Sequence, residues 1–220
     1  MTAPRVLMLL GQAASQVGQF HNKAEHWSSL AGLLRTADCA HRVISDDLAV
    51  LTTDFLAGFD VIVNASTSLD PTPDQIAALL ARVEAGAGFV GVHAATATFV
   101  QYPEYLAMVG ARFGRHDPLK HFTVHFVDRS HPITAGLEDY EHDDELYELT
   151  GDYMDRTNVL PLQDGLHVLA EAEGHPMAYL KAHGSGRVAY LASGHDARSL
   201  DQPAFRELFT RSIAWAAGNL

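Results

Sequence analysis

Short, wholly apolar runs spaced by helix-length segments constrain this chain more than any other feature. Val6–Leu10, Val61–Val63 and Phe89–Val92 show no polar alternation. Such runs read as strands covered on both faces, the pattern of a parallel sheet. Between them lie a helix from about Glu25 to Ala37 and a weak strand at Val43–Ile44. A second helix opens with Thr72-Pro73-Asp74-Gln75. There Thr72 serves as N-cap, Pro73 takes the first helical position and Gln75 completes a capping box. Ile76, Leu79, Leu80 and Val83 give that helix its apolar face, and Gly86 ends it. This βαβα order predicts an α/β fold with a doubly wound, mostly parallel sheet and helices on both faces.

After Gly110 the rhythm changes. Phe122–Phe126 alternates as a strand, and the acidic stretch Glu138–Asp144 reads as a surface excursion. Leu166–Ala170, Met177–Leu180 and Arg187–Leu191 read as strands, with Gly184-Ser185-Gly186 turning a hairpin between the last two. A helix over 202–217 buries Phe205, Leu208, Phe209 and Ile213. With no repeat or linker, residues 1–220 are expected to form a single domain.

Charge and cysteine content narrow the partners. A net charge of −12 disfavours nucleic acid and anionic membrane. The single cysteine, Cys39, excludes an intrachain disulfide. The apolar run at 6–10 stops at Gly11-Gln12, too early for a membrane span, so the protein is expected in the cytoplasm. No Gly-rich loop with Lys or Ser/Thr is present to cradle phosphate, so no nucleotide cofactor is expected.

Among the 13 histidines, position selects three. His21, His93 and His195 each follow a predicted buried strand, where an open α/β sheet gathers ligands at its carboxyl edge. His93 is flanked by Gly91, Ala94 and Ala95, small residues that permit a sharp strand-to-helix elbow. Neither thiol nor hydroxyl stands at that apex, which disfavours acyl-enzyme chemistry. His195 follows Gly194, and His21 ends the loop after the first strand. His26 would point about 140° from His21 on one helix, making the two poor co-ligands. His121 and His125 lie on a strand pattern, about 13 Å apart, too far for one ion. His116, His131, His142, His167, His175 and His183 are expected in loops or at strand ends, most of them solvated. In the acidic run Glu141–Glu148, Leu146 and Tyr147 can press Glu145 inward. Three imidazoles and a carboxylate suit Zn²⁺ or another first-row divalent ion. The same groups also suit metal-free acid/base work.

Several strings together resemble one family. They are Phe20-His21, GAGFVGVHAATATF at 86–99, SHPITAGL at 130–137, DELY at 144–147 and GRVAYLASGHD at 186–196, followed by FRELFTRSIAWAAGN. In this order, over nearly the whole chain, they are similar to the ThuA-like, trehalose-utilisation family. The resemblance implies a flavodoxin-like fold of the class I glutamine amidotransferase type. Those enzymes carry Cys at the elbow, where this chain has His93, while Cys39 falls in the first helix region. Amidotransferase chemistry is therefore not expected. The family's polar motif positions fall on His21, His93, Glu145 and His195, and the family is associated with catabolism of 3-keto derivatives of disaccharides.

An enzyme acting on a keto-sugar is the leading expectation. Its catalytic residues would be His93, His195 and Glu145, with a metal on His21, His93 and His195. His21, Phe20, Tyr102 and Tyr147 would contact the sugar. A ketone acidifies the neighbouring C–H, so isomerisation and β-elimination both begin with proton removal. A non-catalytic binding module and a metal-dependent hydrolase are the other readings. A small-molecule carbohydrate is the expected partner, and a homo-oligomer is compatible with the sequence.

Overall fold

The apolar runs lie side by side. The computed structural model describes residues 2–16, 22–157, 162 and 164–220. In it β1 (Arg5–Leu10), β2 (Ala40–Ser45), β3 (Val61–Asn64), β4 (Gly88–Val92) and β11 (Gly186–Leu191) are parallel, in the order β2-β1-β3-β4-β11. This is the flavodoxin-like strand order. Beyond β11 the sheet turns antiparallel through β10 (His175–His183), β9 (His167–Ala172), β6 (Lys120–Phe126) and β7 (Tyr140–Asp144). A separate two-stranded ribbon pairs β5 (Arg112–His116) with β8 (Tyr147–Thr150).

The helices follow the local signals. The α3 helix (Pro73–Glu84) carries the complete capping box, with Thr72 and Gln75 bonded in both directions. It groups with α2 (Thr53–Leu56) and α4 (Pro103–Val109) on one face of the sheet. On the other face α1 (Lys23–Thr36), α5 (Ala197–Leu200) and α6 (Pro203–Ala216) pack together. Phe205, Leu208, Phe209 and Ile213 of α6 are buried, each contributing about 2 kcal/mol of transfer free energy. Close approach here requires Gly88, where a Cβ would sit 2.6 Å from the Ala216 carbonyl oxygen. Among the described residues, no helix is long and apolar enough to cross a membrane.

Two expectations need correction. The acidic stretch is no surface excursion: Tyr140–Asp144 is β7, the last strand of the large sheet, with Tyr140, His142 and Asp144 buried in alternation. Period-2 alternation was present, but its inward members are mostly polar and the charge run masks it. Cys39 lies between α1 and β2, not in a helix. It precedes the amino end of its strand, at the sheet edge opposite the strand carboxyl ends.

Candidate active and metal site

β4 ends at Val92, and His93 begins a single 3-10 turn, His93–Thr96. His93 has φ 46, a left-handed conformation that costs a non-glycine residue about 1–3 kcal/mol. The turn is held from below: Tyr190 on β11 donates its hydroxyl to the His93 carbonyl at 2.8 Å. The ring is fixed as well. Nδ1 lies 2.8 Å from the Ala192 carbonyl oxygen, and a carbonyl can only accept, so Nδ1 carries the hydrogen. In the neutral ring Nε2 then presents a lone pair. It faces the Tyr147 hydroxyl at 2.9 Å and Glu145 Oε2 at 3.3 Å. Burial pushes the Tyr147 phenol well above its ordinary pKa, so it stays protonated and donates to Nε2.

Glu145 occupies the corner where the chain leaves β7 for β8. Its Oε2 is 3.2 Å from His195 Nδ1, and its Oε1 is 3.4 Å from His116 Nε2. Burial alone would raise this carboxyl. The hydrogen bond and charge of His195, joined by those of His93 when that ring is protonated, outweigh burial and hold it well below the usual carboxylate range. For His195 burial acts downward, but the Glu145 hydrogen bond and charge carry the ring above its ordinary value.

Asp144 locks this corner to the loop after β11. It is fully buried and accepts from Gly194 N at 2.9 Å, His195 N at 3.3 Å, Ser199 Oγ at 2.6 Å and Glu145 N at 2.8 Å. Gly194 has φ +132, and a Cβ there would meet Val92 Cγ1 at 3.0 Å and His93 Cβ at 3.3 Å. On α1, His26 donates Nε2–H to the Gly194 carbonyl at 2.8 Å. Its burial brings the imidazole pKa down to about 4.

The donor set fits a divalent ion. One atom each from His93, Glu145 and His195 lie within 4.8 Å of one another. Two imidazoles with a carboxylate, one ring oriented by a backbone carbonyl, is a catalytic zinc pattern with an open position. The site borders a cavity of about 400 Å³ lined by Thr67, Ser68, Phe113, His116, Glu145 and Tyr147, among others. Phe113 and Tyr147 stand 4.5 Å apart, and His116 stacks on Tyr147 at 5.8 Å, giving an aromatic wall.

Of the residues selected from sequence, His93, Glu145, His195 and Tyr147 come together. Tyr102 turns its hydroxyl to the Pro71 carbonyl and is not among the cavity-lining residues. His21 and Phe20 lie outside the described residues. His121 and His125 are exposed and pair separately with Asp143 and Asp139. The expectation of solvated loop positions fails for His142, buried within β7, and for His116, half-buried at the cavity. Asp144, His26 and Tyr190 were not singled out as site residues. Asp144 and Tyr190 had a signal, their places in the DELY and GRVAYLASGHD strings, and His26 had none.

Residues 5–216 match the ThuA family, described as trehalose utilisation. No curated protein matches the chain. Among solved structures, a ThuA-like protein of Parabacteroides merdae is similar, with 19% identity and TM-score 0.79 over 98% of this chain and 90% of that one. One from Bacteroides uniformis has 19% identity and TM-score 0.73, covering 98% and 93%. A cytoplasmic protein of Salmonella typhimurium has 13% identity and TM-score 0.68, covering 96% and 99%. At these identities the structures establish the fold alone. The family match runs from the first strand through the last helix and includes the elbow and the DELY corner: this chain belongs to the ThuA trehalose-utilisation family.

Proposed function

We propose that this protein is a cytoplasmic enzyme of carbohydrate catabolism that moves a proton on a keto-sugar, with 3-keto-disaccharides as the substrate class. One observation carries the reading: the His93–Glu145–His195 cluster opens, through Glu145, onto a sugar-sized cavity with an aromatic wall. With the Tyr147 hydroxyl turned away from Nε2 and the His195 Nδ1 proton released, His93 Nε2, Glu145 and His195 Nδ1 would hold a divalent ion, zinc by ligand type. Such an ion supplies Lewis-acid polarisation of a ketone oxygen.

The protein's own groups divide the remaining work. A carboxylate held well below its usual range is a weak base, so Glu145 is suited to stabilising positive charge. Among the imidazoles near it, His116 lines the cavity. Its Nδ1 donates to the Asp117 carbonyl at 2.7 Å, leaving Nε2 to take a proton. Removal of the C–H proton beside the ketone puts that proton on His116 Nε2. The C–H bonding pair becomes the new C–C double bond, and the carbonyl π pair moves onto the ketone oxygen. Glu145 Oε1, at 3.4 Å, then stabilises the imidazolium. Return of the proton to the neighbouring carbon is isomerisation, and its delivery to a departing glycosidic oxygen is elimination.

The test is exchange of the acidic C–H of 3-keto-trehalose in D₂O, followed by NMR. Wild type should exchange, and His116→Asn and Glu145→Gln should each slow exchange about 100-fold or more. An inert wild type, or variants that match it, overturns the assignment. Plasma mass spectrometry should find about one zinc per chain, lost in His93→Ala.

A further inference from the structure

We infer that, within the keto-sugar class, the preferred substrate carries an acidic group, a carboxylate or a phosphate, held by Arg112 and Arg156. This rests on reading the cavity as the substrate site. Both arginines line the same cavity as Glu145, His116 and Tyr147. Elsewhere Arg5, Arg115, Arg129, Arg198, Arg206 and Arg211 pair with carboxylates, while Arg82 and Arg187 are spent on backbone carbonyls away from this cavity. Among the described residues, Arg112 and Arg156 make no ion pair. Arg112 spends Nη1 on the Tyr153 carbonyl at 2.9 Å, while its Nε is buried with no hydrogen-bond partner. Asp155 feels the charge of Arg112, but its Oδ1 accepts from the backbone and hydroxyl of Thr157.

A buried guanidinium N–H without an acceptor is costly, and a ligand oxygen removes the cost. The cavity's carboxylate, Glu145, is already surrounded by His93, His195 and His116. Arginine's planar fork matches both carboxylate and phosphate oxygens. The strand itself is shaped to this end. Phe113 and His116 would face opposite sides of a regular strand, yet both line the cavity because β5 is bulged between Phe113 and Arg115. Gly114 permits the bulge, since a Cβ there would lie 2.8 Å from the Glu148 carbonyl oxygen. Arg115 is left on Glu148 while Arg112 is kept for the cavity. A chain of net charge −12 repels anions at long range, so an anion preference has to be local.

Calorimetric titration with glucose, glucuronate and glucose 6-phosphate at fixed ionic strength tests this. At least one anionic sugar should bind about tenfold or more tighter than glucose. A preference for glucuronate identifies a sugar acid, and one for the phosphate identifies a sugar phosphate. Arg112→Gln and Arg156→Gln should each remove most of that advantage, bringing the affinity for the anionic sugar close to that variant's own affinity for glucose. Arg156 is exposed, so its variant tests the idea even if Arg112→Gln fails to fold. Equal affinity for the three sugars, or an anion preference that survives in Arg156→Gln, overturns it. Glu145→Gln separates the two readings. Lost exchange with the anion preference intact supports both, whereas wild type that prefers anions yet never exchanges faults the catalytic reading alone.

Discussion

Acidification should destabilise this protein through His26, and the size of the effect can be worked out. The buried ring has a pKa of about 4 in the fold, against 6.5 when exposed in the unfolded chain. A histidine with a depressed pKa contributes stability in full above the unfolded value. That stability is lost as pH falls from about 6.5 towards about 4, because the unfolded state binds the proton first. The limiting loss is about 3 kcal/mol, of which about 2 kcal/mol has gone by pH 5. Urea unfolding of wild type and His26→Gln at pH 7 and pH 5 isolates this contribution, because other titrating groups cancel in the difference. Glutamine keeps a donor for the Gly194 carbonyl and does not titrate. Wild type should lose about 2 kcal/mol more than the variant between the two pH values, a midpoint difference of about 1 M urea. Equal losses would mean that His26 is not buried neutral against Gly194.

Other perturbations probe the supports of the site. Asp144→Asn should cost about 2–4 kcal/mol by urea unfolding, because an amide cannot accept on both sides where the carboxylate receives four donors. In chelator competition the same variant should hold zinc about tenfold or more weakly, as the loop bearing His195 loses its anchor. Gly194→Ala should cost about 1–3 kcal/mol in thermal unfolding, from the forced φ and the contact with Val92. Tyr190→Phe should cost about 1–2 kcal/mol by urea unfolding, since the His93 carbonyl loses a donor in its strained turn.

Sequence alone determined the parallel half of the fold and the centre of the site, because both are written in local patterns. Uninterrupted apolar runs too short for a helix, set off by turn residues, read as strands covered on both faces, and Thr72 through Gln75 cap α3 without help from the rest of the chain. The small residues around His93 permit a sharp turn wherever β4 ends. A parallel sheet then brings the ends of β4 and β11 together, which places His93 and His195 with ring centres 5.6 Å apart. Glu145 needed the additional weight of the DELY string.

Tertiary structure decided the rest. β7 alternates, but with Tyr140, His142 and Asp144 turned inward, and polar inward residues are stable only where long-range partners satisfy them. Those partners are His195, Gly194 and Ser199 for Asp144, about fifty residues away. His26 is neutral because it is buried, with its Nε2–H taken by the distant Gly194 carbonyl, which nothing near residue 26 announces. His116 reaches the cavity through a bulge whose register is set by pairing with β8. Side-chain identity and local period are properties of the sequence. Burial and partnership of polar groups depend on contacts between distant segments, so they existed only once the chain had folded.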